Sequence, residues 1–430
     1  MRNFVNRAKG FCCACKRRKF NLNGNNRRSA MQFGMLAKSR DFRYNRIMSV
    51  KFLAVLAIFP ALFFFSCQTT KHERLPKEDK ILKLVFAGDI MAHTQNFQMD
   101  DFSLIWDDIR EKVGAADFAF ANLEAPVVQR LPFESYPTFN MQHSYPQAAF
   151  DAGFNLISLA NNHTDDQNSE GIRATQIWAE SVAEKSCESE RPIYFSGLTS
   201  DGEFSFAQFF WNEKKILFIA ATEILNTWKN YDKVNFIRPN ANGRAAFVER
   251  IRKMREEFSP DIFLVSIHTS EEEYVMSVLE SVKKFYRDLL DAGADIVVSN
   301  HPHVIRPVEF FGETESRKIR KVIMYANGNT ISGQRRALNY ENPLDTWQYT
   351  GDGQFVELEL DSDEKGFFVK SHKINFITAF TPAGTKSPVI KILDENFISS
   401  LEAQGETKNA KYYRARLDAL KKIEEIQTWQ

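Results

Sequence analysis

Six segments of this sequence end in polar residues of types that bind cations. They are Gly88-Asp89-Ile90-Met91, Asn122-Leu123-Glu124, Asn161-Asn162-His163 with Asp166 just after it, His268, Asn300-His301-Pro302-His303 and Asn327-Gly328-Asn329. Mixed carboxylate, imidazole and carboxamide donors suit Mn, Fe, Zn or Mg rather than a soft ion that prefers thiolate. Where two such ions share a site, one carboxylate can bridge them, and the pair activates water and holds the oxygens of a phosphoester or other acyl group. One such ending is commonplace, whereas six in series are hard to attribute to solubility. His301 and His303, if extended, put both rings on one side, because strand side chains repeat every second residue. His93, His143 and His372 lie outside these groups and read as capping or core hydrogen-bonded residues.

The endings follow apolar runs at 81–90, 117–124, 155–162, 215–223, 261–268, 295–303 and 321–329, which read as buried strands. Amphipathic stretches at 102–115, 169–185, 242–257 and 274–292 fall between several of them. Strands alternating with helices predict an α/β domain, and in such a domain the loops beyond the strand C-termini form the binding crevice. The pair around 204–222 and the runs 354–361 and 366–378 predict some antiparallel pairing, so the sheets are mixed. The domain is expected over 81–380. A C-terminal helical segment follows over 381–430, with one or two helices between 395 and 428.

The chain has 430 residues, 43% hydrophobic and 26% charged, with a formal net charge of +1. That balance is uneven. Residues 1–67 hold 14 Lys and Arg against the single acid Asp41, leaving 42 basic against 54 acidic residues in the remainder. An acidic body argues against a nucleic-acid surface, which needs a basic stripe to neutralise phosphates. The segment Met48–Cys67 carries one Lys, then a short apolar run, then a small residue before Cys, the pattern of a secretory signal. Its end resembles a bacterial lipobox, with Cys67 the lipidated first mature residue, although Phe64 and Phe65 stand where Leu and a small residue are usual. The other reading of this run is an uncleaved anchor. Either puts the body outside the cytoplasm, at the outer face of a membrane or in a periplasm. Residues 1–47 precede the signal and read as an extension ahead of a start at Met48, and 68–80 as a polar tether. Cys187 then remains alone, so no disulfide framework is expected.

These endings, in this order, resemble the CapA/PgsA family of capsule and poly-γ-glutamate synthesis proteins, whose domain looks like a calcineurin-type metallophosphatase. The matching pieces are GDIM at 88–91, NLEAP at 122–126, ANNHTDD at 160–166, NHPHV at 300–304 and YANGN at 325–329. The resemblance implies a metallophosphatase-like α/β sandwich and one or two divalent ions held by Asp89, Glu124, Asn162, His268, His301 and His303. It further implies that His163 donates a proton to a leaving group, with Asp166 as its catalytic companion, and that Asn122 and Asn329 touch substrate. The partners it implies are an anionic envelope polymer or its synthase complex.

The departures bear on catalysis. Phosphatases of the wider fold place His two residues after the first Asp, where this chain has Met91. The family usually follows its middle His with Trp and Gly before a Glu, whereas Thr269 and Ser270 stand here ahead of Glu271, Glu272 and Glu273. Ser299 and Asn300 likewise replace the more usual Gly and His before the HPH triplet. Two expectations follow, a metal-dependent hydrolase of a phosphoester or amide and a non-catalytic accessory protein that binds an anionic polymer or its synthase. The aromatics of DTWQYT (345–350), with Arg335 and Arg336 ahead of them, form either a polymer-binding rim or a packed loop.

Overall fold

The computed structural model describes residues 81–199, 202–313 and 318–424. The expectations for 1–80, among them the signal, the tether and lipidation at Cys67, lie outside the described residues. Among the described residues fourteen strands occur in the order β1 (Leu82–Ile90), β2 (Phe118–Leu123), β3 (Leu156–Ser158), β4 (Tyr194–Ser196), β5 (Ala207–Trp211), β6 (Lys214–Thr222), β7 (Ile262–His268), β8 (Ile296–Asn300), β9 (Val308–Gly312), β10 (Ile319–Met324), β11 (Asn329–Ile331), β12 (Asp352–Asp363), β13 (Gly366–Phe380) and β14 (Val389–Ile392). The helices are α1 (Arg110–Gly114), α2 (Ser144–Asp151), α3 (Asn168–Ser186), α4 (Ala241–Phe258), α5 (Glu280–Asp291), α6 (Glu395–Ala403) and α7 (Thr407–Glu424).

The strands form one mixed sheet in the order β4-β3-β2-β1-β12-β13-β10-β8-β7-β6-β5. The long β12–β13 hairpin joins its parallel halves, and among the described residues the β13–β10 ladder has the single pair Val369 and Ile319. The sheet doubles back on itself there. Phe118 packs on Phe209 with ring centroids 4.7 Å apart, and Phe120 faces Phe218 at 6.0 Å, so β2 lies across from β5 and β6. The α/β sandwich predicted from the sequence thus forms from a continuous sheet. Strand periodicity explains the layering: Phe218, Leu264 and Val298 face the inner core, while Leu217, Ile219, Val265 and Val297 pack outward on α4 and α5.

Several boundaries differ from those read in the sequence. The stretch 102–115 splits into a 3₁₀ turn at Phe102–Trp106, capped by Asp101, and the short α1. The stretch 274–292 becomes helical only at Glu280, because Glu271 takes the Leu279 N–H and the Tyr274 N–H donates to the Pro302 carbonyl, tying 274–279 to the loop after β8. The segment 381–430 is not wholly helical, since β14 adds to the sheet beside β13. It is also bound to the sandwich through charge: Asp352, fully buried, lies 2.9 Å from Arg335 Nη1 and 2.8 Å from Arg416 Nε of α7.

Candidate metal centre

Parallel register brings the polar strand ends level. Asp89 is paired with Asn122 of β2 on one side and Asn329 of β11 on the other, and His268 is paired with Asn300 of β8. Gly88 permits the close approach of β1 to the 327–329 turn. A Cβ there would stand 1.9 Å from the Gly328 carbonyl oxygen, which instead accepts the Asp89 N–H at 3.0 Å. Beyond β8 the chain leaves the strand, and His301 and His303 adopt φ of 103° and 55°. The expectation that an extended His-x-His puts both rings on one side therefore gives way to left-handed backbone at each. The rings still meet, with centroids 6.0 Å apart, because the turn rather than a strand aims them.

Two overlapping groups result, Asp89–Glu124–His268 and Glu124–His301–His303, in each of which one ligand atom per residue lies within 4.8 Å of the others. All five residues are buried. Their chemistry fits a divalent ion. Glu124 Oε1 and His301 Nδ1 are buried without a hydrogen-bond partner, an arrangement that is unfavourable unless something else satisfies them. Glu124 Oε1 stands 3.8 Å from His268 Nε2 and 3.6 Å from His303 Nε2, too far for hydrogen bonds. Two ligand atoms placed tetrahedrally about 2.1 Å from one ion are about 3.4 Å apart, slightly less than these separations.

The charges are arranged accordingly. Burial, then the Asp89 charge, holds the Glu124 carboxyl well above the usual carboxylate range. Burial and the neighbouring imidazoles push His268 and His301 well below the ordinary histidine value. His303 is also buried, but the Asp89 carboxylate 3.3 Å from its Nδ1 outweighs this and raises it.

Asn122 and Asn329, expected to touch substrate, lie behind the ligands instead. Asn122 is fully buried; its Nδ2 donates to Asp89 Oδ1 at 2.8 Å and to Glu124 Oε2 at 3.1 Å, fixing both carboxylates. Asn329 Oδ1 accepts from His303 Nδ1 at 3.0 Å, which leaves the His303 Nε2 lone pair turned toward Glu124. Asn162 Oδ1 lies 2.9 Å from His268 Nε2, so it reaches the group from the third strand end.

His163 stands at the edge of the ligands. Its Nδ1 is 2.6 Å from Asp166 Oδ2, which also takes the Phe139 N–H at 2.8 Å. Asn226, which the sequence reading passed over, donates to Asp166 Oδ1 at 3.1 Å and accepts from Asn162 Nδ2 at 3.3 Å. It lies four residues beyond the end of β6, in a loop at the same edge of the sheet as the other strand-end donors. A cavity of about 870 Å³ opens over these groups; Asn162, His163, Asn226, Glu273, His303 and Trp347 are among its lining residues.

Met91 lies in the wall of that cavity, where its thioether is a poor ligand for a hard ion. His93 is on the same wall, whereas His143 stacks on Trp178 and His372 on Phe310, away from the site. Glu271 is held by the buried Arg306 guanidinium. Arg335 is committed to Asp352, while Arg336 and the half-exposed Trp347 border the cavity, so the 335–350 loop divides between packing and rim.

The model of the bacterial capsule synthesis protein PGA_cap family matches residues 83–334, which include every ligand in this group. The chain belongs to that family. Among its relatives is the PGA biosynthesis protein CapA of Bacillus subtilis (strain 168), 24% identical over 331 residues covering 74% of this chain and 78% of that protein. The capsule biosynthesis protein CapA of Bacillus anthracis is 21% identical over 355 residues, covering 74% and 72%. Similar solved structures include a hypothetical protein from Thermus thermophilus (16% identity, TM-score 0.39, covering 68% of this chain and 98% of that one). The calcineurin-like phosphoesterase YfkN from Bacillus subtilis is 12% identical with TM-score 0.39, covering 78% and 99%. At those scores neither structure bears on what the site does.

Proposed function

We propose that this PGA_cap protein is a metal-dependent hydrolase of the bacterial cell envelope, cutting a phosphoester or amide in the synthesis or processing of an anionic capsule polymer. The observation that carries the proposal is the position of the His163–Asp166 pair beside the buried Asp89–Glu124–His268–His301–His303 group, under one cavity. A divalent ion held by those ligands would polarise the scissile bond and activate water. The protein's own part is to orient and to move a proton. Asp166 accepts a hydrogen bond from His163 Nδ1–H, which leaves Nε2 as the nitrogen that, in the imidazolium form, delivers its proton to a departing oxygen or nitrogen. Asn226 and Phe139 hold the Asp166 carboxylate in place.

Met91 favours a second reading, a non-catalytic accessory protein that binds the polymer or its synthase, because it removes an imidazole from the first strand end. Metal analysis of the chain, followed by turnover of a phosphodiester with added Mn, separates the two. Bound metal with activity lost in His163→Ala supports the hydrolase; bound metal with no turnover of phosphodiester or amide polymer supports the accessory role. Absence of any bound transition metal removes the hydrolase reading.

Lipidation at Cys67, and with it a place on the outer face of a bacterial membrane or in a periplasm, belongs to the same proposal. Among the described residues no helix is long and apolar enough to cross a membrane. Release of Cys67→Ser from membranes, or a block in its processing, is the expected outcome, and unchanged retention points to an uncleaved anchor.

A further inference from the structure

The loop after β1 carries a second imidazole, His93, which the proposed chemistry does not use. Its Nδ1 accepts the Gly333 N–H at 3.1 Å, so the ring proton is on Nε2. The Gly333 carbonyl accepts from Gln95 Nε2, so the N–H and the C=O of one residue are held by side chains two apart. A Cβ at Gly333 would stand 2.7 Å from His93 Cβ and 2.3 Å from Gln95 Nε2, so this approach needs glycine. Phe139 fixes the ring further. Its own ring meets His93 edge to face at 4.9 Å and His163 at 4.7 Å, so the two imidazoles contact one phenyl group.

The Nε2–H has no hydrogen-bond partner among the described residues, yet it is not one of the buried orphan atoms, and the residue lines the cavity. It therefore opens into that space. Burial first, then the charges of His303, His163 and Arg336, lower its pKa to about 3, so it remains a neutral donor. Arg336 lines the same cavity and is exposed, with no ion-pair partner among the described residues. Glu273, the acid on this cavity wall, is engaged by the Tyr274 hydroxyl.

The geometry points to an oxyanion subsite in which His93 Nε2–H and the Arg336 guanidinium together hold an anionic oxygen of the substrate, phosphoryl or carboxylate, beside the metal ligands. It rests on the hydrolase reading for its place in a reaction but not for its binding. Charge-assisted hydrogen bonds from a fixed donor and a guanidinium suit either group.

The test uses the full chain with 15N-labelled histidine. His93→Phe identifies the His93 signals, which are expected to show Nε2 protonated. Inorganic phosphate and succinate are then titrated separately, with and without Mn, following that Nε2–H signal. Expected results are a shift of the signal with one or both anions, and binding weakened about tenfold or more in His93→Phe and in Arg336→Met. His93→Gln, whose amide can accept from Gly333 and still donate, should recover most of the loss. Response to phosphate alone assigns a phosphoryl subsite, and response to succinate alone a carboxylate subsite. An Nδ1-protonated ring, or anion affinity unchanged in both His93→Phe and Arg336→Met, overturns the inference. Metal content, measured on the same samples, reports separately on the metal centre, so a chain that binds no Mn but still shifts His93 retains the subsite and loses the hydrolase.

Discussion

His163 Nδ1 and Asp166 Oδ2 lie 2.6 Å apart, three residues from each other in one turn, with both side chains almost fully buried. The carboxylate fixes the imidazole so that Nε2 is the free nitrogen. Removing His163 by alanine is expected to reduce phosphodiester or amide turnover about a hundred- to ten-thousand-fold while leaving metal content unchanged. Asp166→Asn should reduce turnover less, since an amide oxygen in the Oδ2 position can still accept from both Phe139 and His163 but carries no charge to stabilise the imidazolium. Steady-state rates beside metal analysis check both; equal activity of His163→Ala and the parent chain would exclude His163 as proton donor.

The Glu124 carboxyl, held above its ordinary range by burial and Asp89, makes metal binding compete with a proton. Mn affinity should rise with pH. Without metal the sign for stability is opposite. Glu124 and His303 have raised values in the folded chain, so the folded state binds more protons than the unfolded one and stability falls as pH rises above 6.5. His268 and His301, with lowered values, work the other way only below 6.5, where the unfolded chain takes up protons. Thermal melts of the chelator-treated chain from pH 6.5 upward, with and without Mn, read this. A melting temperature independent of pH over that range would contradict the assignment.

Gly88→Ala forces a Cβ to within 1.9 Å of the Gly328 carbonyl oxygen. Backbone faces backbone there, so no side chain can move aside. A loss of about 1–3 kcal/mol is expected in urea unfolding, as for an overpacked core, together with weaker metal binding because Asp89 is displaced. A variant with parental stability and metal content would show that β1 can shift freely.

Asp352 is buried between Arg335 and Arg416. Arg416→Met leaves that carboxylate with one guanidinium and also removes the cation lying 3.7 Å above the Tyr349 ring. Breaking a buried pair from one side is destabilising by about 3–5 kcal/mol, reduced here by the remaining arginine. Unfolding by urea measures the effect; a change near zero would mean that α7 is held by its apolar face alone.

Much of this protein was legible in its residues. The apolar runs located seven strands, and the motifs GDIM, NLEAP, NNH and NHPH held Asp89, Glu124, Asn162, His163, His301 and His303, which the structure brings together because parallel strands deliver their C-terminal residues to one crevice. What tertiary structure decided was which polar atoms face the cavity. Asn122 and Asn329 have the same side chain as Asn162, yet register places them beside Asp89 and behind the ligands, while Asn162 borders the cavity. The left-handed turns at His301 and His303, the grip of His93 on Gly333 and the approach of Asn226 to Asp166 are contacts between distant segments or turns. Strand periodicity and local propensity describe neighbours in sequence, and contacts across 240 residues, as between His93 and Gly333, are set only when the sheet closes on itself.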